Sequence, residues 1–235
     1  ADPTFRNIVQ PLGSDWPMVG QLMAKSNRNV ELGLVVSAYE EVVSAKNMID
    51  ILFREFIDAV PKFQVMNESY VPDGLNPHTR SICWLAEQVI LQNTRRLPRL
   101  DWLEDPESDI SAWDARLQFK GPEHPPIFIN IKVSSSKKRQ KNDIASVKKL
   151  KQFYDEHPDA LLFFVVIRFE FDNTWIHFER TPIVQYYPWM KGYYINPRNH
   201  HIQANYDCGD EYRTLDQFIN EFMSTAREKG LVYGG

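Results

Sequence analysis

The chain has 235 residues, 43% hydrophobic and 25% charged, and its 27 basic and 31 acidic side chains leave a net charge of −4. That length suits one large domain or a domain with a helical appendage, and the composition is that of an ordinary soluble globule. The longest apolar run, near residues 160 to 171, is broken by Arg168 and Glu170, so no segment reads as a membrane span.

The start, Ala1-Asp2-Pro3, shows no signal-peptide pattern and reads as a processed or appended end. Cys83 and Cys208 lie far apart without metal-ligand spacing. This fits a reduced compartment and not a disulfide framework. No repeat and no low-complexity segment is present.

Residues 30 to 60 predict a helix. Val30, Leu34, Ala38, Val42, Ala45, Ile49, Phe53, Phe56 and Val60 recur at steps of three and four until Pro61. Val71 to Pro77 is a loop rich in Pro, Gly, Asp and Asn. A second helix is expected over 79 to 95, and residues 96 to 112, with two prolines and five acids, read as a connection. The period then switches to two. Trp113 to Lys120 and Ile127 to Val133 are expected strands, joined by the turn-rich Gly121 to Pro126. A helix is expected from about 142 to 156, then a buried strand over Leu161 to Phe171 with a hairpin partner over Thr174 to Glu179. A polar, aromatic segment runs to 212, and Thr214 to Gln217 opens the last helix with a capping-box pattern. This order predicts an α/β fold, a mixed sheet covered by helices.

The strand at 127 poses a chemical question. Residues i and i+2 share a strand face. Ile127, Ile129, Ile131 and Val133 therefore face a core, while Phe128, Asn130 and Lys132 face the other way. Pairing through the 121 to 126 turn would bring Asp114 near Asn130 and Lys132. An acid, an amide oxygen and an ammonium at one place suit phosphodiester hydrolysis with a hard divalent cation. Taken singly, each has a plainer reading. Asp114 is a solvated strand-end acid, and the 128/130/132 face is a wet edge strand protected by lysine.

Charge is unevenly spread. From 132 to 151 there are eight basic residues against one acid, Asp143. Lys137, Lys138, Arg139 and Lys141 are therefore candidates for phosphate contacts, against the plain reading of a solvated face. The amide-rich stretch Asn196 to Asn205 supplies candidates for base contacts, Asn199, His200, Gln203 and Asn205, since Asn and Gln suit adenine N6 and N7. The plain reading is a polar loop. The adjacent pair His200-His201 does not have the geometry of a structural zinc site. No GxxxxGK phosphate loop and no Ser-His-Asp or Cys-His arrangement stands out.

Three ordered blocks carry a more specific likeness: Trp113-Asp114-Ala115-Arg116 with Phe119-Lys120; Ile127 to Lys132; and Ile195-Asn196-Pro197 followed by Gln203, Asn205 and Tyr212-Arg213-Thr214 ahead of Phe218-Ile219. With 17 residues between Asp114 and Lys132, they resemble the PD-(D/E)XK core of Type II restriction endonucleases, and in particular blunt cutters of long A·T-rich palindromes. The likeness spans about 79 to 228. It implies a PD-(D/E)XK restriction-endonuclease-like α/β core over 76–235, with residues 1–75 as an N-terminal helical region for dimerisation or DNA clamping. It implies a homodimer cutting palindromic double-stranded DNA with Mg²⁺, for which Mn²⁺ would substitute, inside a prokaryotic cytoplasm. By the same likeness Asp114 would hold metal together with the Ile131 carbonyl, Lys132 would be the catalytic lysine, and Glu87 would be the acid the family often places on the preceding helix. The family has an acid where this chain has Asn130. The amide oxygen would still coordinate a metal, but weakly, being neutral. A natural variant and a substitution that traps an uncut complex both explain it. Two other readings stay open: a DNA-binding protein that does not cut, and a repair or junction-resolving nuclease.

Overall fold

The computed structural model describes residues 29–65, 80–107, 111–136, 143–172, 174–204 and 209–231. In chain order the elements are α1 (Asn29–Ala59), β1 (Lys62–Gln64), α2 (Arg80–Thr94), β2 (Leu100–Glu104), β3 (Ala115–Phe119), β4 (Ile127–Ser135), β5 (Asp143–Ser146), α3 (Val147–Glu156), β6 (Leu161–Asp172), β7 (Trp175–Phe178), β8 (Ile183–Tyr186), a 3-10 turn (Tyr187–Trp189), β9 (Tyr194–Ile195), β10 (His201–Gln203) and α4 (Leu215–Glu228).

The chain divides into two compact units, Ala1–Ser44 and Ala45–Gly235. In the first, only the α1 residues 29–44 are described. The second holds the sheets and the other helices. Its main sheet includes β1, which lies inside the 1–75 segment.

Seven consecutive apolar side chains, Leu161 to Ile167, can be hidden only in a strand covered on both faces. All seven are buried, and β6 lies inside the main sheet, whose order is β1-β7-β6-β4-β3-β2 with β8 also on β6. β4 runs parallel to β6 from Ile127 opposite Leu161 to Ser135 opposite Phe169. Between them the chain passes through α3, as a parallel pair requires. β3 returns antiparallel on the other side of β4, with Ala115 opposite Ile129. β4 is therefore interior to the sheet, and the wet-edge reading of its Phe128/Asn130/Lys132 face fails. Phe128 is 2% and Asn130 4% exposed.

On one side the sheet packs through Phe128, Leu162, Phe164 and Val166 against Val147, Leu150 and Phe153 of α3 and Phe218 and Phe222 of α4. Phe128 meets Phe153 edge to face at 5.0 Å. In the second unit, α1 buries Ile49, Leu52, Phe53 and Phe56, and the Phe56 ring meets Phe178 at 5.4 Å. Among the described residues no helix is long and apolar enough to cross a membrane.

The expected helix at 142 begins five residues later. Asp143–Ser146 is taken by β10 as strand β5, and Ser146 caps α3 by accepting from the Lys149 amide at 3.2 Å. The expected connection at 96 to 112 contains β2, which pairs with β3. The capping box of α4 forms as expected. The Thr214 hydroxyl accepts from Gln217 N and the Gln217 side chain accepts from Thr214 N. Thr214→Ala should therefore lower stability by about 1 kcal/mol, read as a lower urea midpoint at unchanged slope.

Candidate active site

The β3–β4 hairpin sets the geometry. The Asp114 amide donates to the Ile129 carbonyl at 2.8 Å, which starts the ladder and brings Asp114 alongside β4. The Asp114 carboxylate then accepts from the Ile131 amide at 2.6 Å and lies 3.7 Å from Lys132 Nζ. Lys132 keeps 22% side-chain exposure, so its ammonium is partly desolvated but reachable.

Glu87 arrives from α2, which packs on β4. The Val133 amide donates to its carboxylate. Burial pushes its pKa up from 4.5 to about 7, and the nearby Asp114 charge adds to this, while Lys132 and the Val133 amide pull it down. Burial, with the Glu87 charge adding to it, also raises the Cys83 thiol. Asp114, Lys132 and Glu87 are thus brought together from three parts of the chain.

Asn130 sits between β3 and β6 with its amide buried. Its Nδ2 donates to the Ala112 carbonyl at 3.0 Å. That contact decides the amide's orientation, because an oxygen there would meet an oxygen. Its Oδ1 is buried with no hydrogen-bond partner. A buried acceptor without a partner costs about 1–3 kcal/mol, so it calls for an explanation at this place in the fold.

A cleft of about 530 Å³ opens over the site, lined by Trp84, Glu87, Gln88, Trp113, Asp114 and Ile131 among others. Ser111 and Trp113 also line a second hollow of about 390 Å³, with Ser146, Lys148 and Lys149 on its wall. Lys148 and Lys149 are the described part of the basic run that reaches this surface. Lys137, Lys138, Arg139 and Lys141 lie outside the described residues, as does Asn205.

Gln203 lies on strand β10 of the small sheet β5-β10-β9, and Asn199 and His200 lie in the turn that leads into it. His200 takes a left-handed backbone, φ 57°, in the turn between β9 and β10, and its carbonyl accepts from the Val147 amide at the start of α3. Asn199 is tied at both ends of its amide. Oδ1 accepts from the His201 amide at 3.1 Å, and Nδ2 donates to Asp143 Oδ2 at 3.1 Å. Gln203 Nε2 donates to Asp143 Oδ1 at 2.8 Å. Asp143 did not figure among the sequence candidates. The one signal for it was its isolation as the sole acid in a basic run.

The oxygens on offer here are the carboxylates of Asp114 and Glu87, which line the cleft with Ile131, and the buried, unpartnered Oδ1 of Asn130 on the same strand, which is not part of the cleft wall. Such ligands suit a hard cation like Mg²⁺, and the vacant lone pairs of Asn130 Oδ1 are the kind a cation would use. Among the described residues no group of three or more His, Cys, Asp or Glu gathers, so the charge available to a cation is low.

No family model and no curated protein matches the chain. Among solved structures it is similar to the NlaIV restriction endonuclease at 13% identity, over 78% of this chain and 79% of that one, with a TM-score of 0.49. A likeness of that degree carries no weight for activity, which rests on the geometry above.

Proposed function

We propose that the chain is a Mg²⁺-dependent endonuclease of double-stranded DNA, of the Type II restriction kind, held at low activity by Asn130. The observation that carries this reading is the meeting of Asp114, Lys132 and Glu87, beside a strand on which Asn130 keeps a buried amide oxygen without a partner.

Asp114, Asn130 Oδ1 and the Ile131 carbonyl would hold the ion. When bound, it supplies Lewis-acid polarisation of a phosphoryl oxygen and acidification of water. Lys132 Nζ orients the attacking water and offsets the negative charge that grows on the phosphoryl oxygens. Asp114, 3.7 Å away, keeps that ammonium in place. The Glu87 carboxyl, with its pKa near neutrality, takes or gives a proton at ordinary pH. Lys148 and Lys149 bind phosphates beside the cleft, with the basic run before them, and Gln203 contacts base edges. A homodimer on a palindrome, blunt cutting and an A·T-rich site belong to the same reading, which places the enzyme in a prokaryotic cytoplasm beside its DNA.

The satisfied contact of Asn130 with Ala112 favours one other reading, a DNA-binding protein that no longer cuts. Cleavage of mixed plasmid and genomic DNA in Mg²⁺, then Mn²⁺, separates the two. The expected result is discrete fragments from Asn130→Asp and none once Asp114→Ala is added. Binding with no cutting by any variant, on linear or branched DNA, would leave the non-cleaving reading. Selective cutting of branched DNA would instead mark a junction-resolving enzyme.

Glu87 gives a prediction of its own. An acid whose pKa is raised on folding binds more protons folded than unfolded, so stability falls as pH rises from about 4.5 to about 7 and then levels. The full effect is on the order of 3 kcal/mol. Glu87→Gln should flatten that slope and make the metal-free protein more stable at pH 8. Urea midpoints measured across pH 5 to 8 would check it, and an unchanged slope would place Glu87 outside the buried site.

A further inference from the structure

From 132 to 151 the chain carries eight basic residues and one acid, Asp143. An acid on a surface meant for phosphates weakens binding, so its presence needs a reason. Asp143 occupies β5 directly opposite Gln203 of β10, where the ladder shifts register between Ile202 and Gln203. Such irregularities re-aim side chains. Two amide donors converge on its carboxylate, with an imidazole beside them. Gln203 Nε2 reaches Oδ1 at 2.8 Å, Asn199 Nδ2 reaches Oδ2 at 3.1 Å, and His201 Nδ1 lies 3.4 Å from Oδ2.

We infer that Asp143 is a positioning residue for base recognition: it fixes which way the Gln203 amide faces, so that Gln203 reads one base pair in one orientation. This rests on the DNA-binding reading above. An ionised carboxylate only accepts hydrogen bonds, so it captures the NH₂ end of each amide and rejects the carbonyl end. Left alone, a glutamine amide turns over freely and offers donor and acceptor in either order. Once one N–H is given to Asp143, the remaining N–H and Oε1 form a donor–acceptor pair of fixed order. That pair matches the N7 acceptor and N6 donor of adenine in the major groove. Gln203 Oε1 has no partner among the described residues, and Gln203 is only half-buried. Asn199 differs. Its Oδ1 is already used by the His201 amide, so it braces the turn and leaves readout to Gln203.

The position also links recognition to the cleft. Ser146, at the other end of β5, pairs with His201 and lines the hollow shared with Trp113 beside Asp114.

The test is equilibrium binding of the chain as it stands, without cutting, to a randomised duplex library. Bound DNA would be sequenced for the parent, Asp143→Asn, Asp143→Ala and Gln203→Ala. The parent should enrich one motif. Asp143→Asn should lose about 10-fold to 100-fold discrimination at one base pair in each half of that motif. Gln203→Ala should lose it at the same base pair, and the double variant should lose no more. Binding to unrelated duplex should be unchanged or tighter, since a negative charge has gone. Asp143→Ala repeats the test if Asp143→Asn does not fold, and thermal unfolding of each variant checks that. Even weakening at all positions, or an unaltered motif, would overturn the positioning role while leaving the DNA-binding reading intact. A parent that enriches no motif would overturn both.

Discussion

Asn130→Asp should raise Mg²⁺-dependent cleavage by on the order of 100-fold to 1,000-fold, a change of about 3–4 kcal/mol in the barrier. The substituted oxygen would bring a negative charge to a place where Asn130 Oδ1 now waits without a partner. At a few ångströms a charge interacts with a divalent cation by several kcal/mol even at an effective dielectric near 20, and desolvation offsets part of that. The same exchange should harm the metal-free protein. Asn130 is 4% exposed and its NH₂ group donates to the Ala112 carbonyl, whereas an ionised carboxylate has nothing to donate. The new acid would be buried on β4 beside the Asp114 end of β3, so its folded-state pKa should be raised. Stability without metal should then fall as pH rises through the neutral range, by about 1–3 kcal/mol. Mg²⁺ should restore it. Melting temperatures of both proteins, with Mg²⁺ and with a chelator, give a readout independent of cutting. An Asn130→Asp protein that is as stable as the parent without metal and indifferent to Mg²⁺ would mean that no cation sits at β4.

Lys132→Met in the Asn130→Asp background should cost at least about 1,000-fold in cleavage rate while changing DNA affinity only a few-fold. Lys132 Nζ lies 3.7 Å from the Asp114 carboxylate, and it is only 22% exposed. One phosphate-surface charge among many adds little to affinity, but a charge aimed at the reacting phosphate acts mainly on the barrier. Lys132→Arg should not rescue, because a planar guanidinium does not reproduce a compact ammonium. The loss should also appear in Glu87. Lys132 holds the Glu87 pKa down, so without it that pKa should rise from about 7. An NMR titration of the Glu87 side chain would register the shift. Cleavage that survives Lys132→Met would remove Lys132 from the chemistry, whatever the binding shows.

The long elements were legible because their patterns are local. Helix α1, helix α2, strand β6 and helix α4 each repeat an apolar period over eleven residues or more, or begin with a cap written in adjacent residues, and they formed within a few residues of the expected ends. Short strands were not legible. β8, β9 and β10 have two to four residues, too few to show a period, and each exists because of its partner: β8 on β6, β10 on the distant β5, and β9 on β10. β10 formed on β5, and in doing so took Asp143–Ser146 out of the helix expected there.

The candidate site divides in the same way. From the sequence alone came the residue types, the spacing from Asp114 to Lys132, the strand period that puts Asn130 and Lys132 on one face, and the neutral amide where an acid was expected. Tertiary structure decided the rest. Parallel pairing with β6 buried the Asn130 face, which the sequence read equally well as a wet edge. Docking of α2 on β4 brought in Glu87 and raised its pKa, because desolvation depends on what packs around a carboxyl and not on its neighbours in the chain. The β5–β10 ladder gathered two amides onto Asp143 from more than fifty residues away. Chemistry that depends on residue type and local period is written along the chain, while burial and long-range pairing come into being only when the chain has folded.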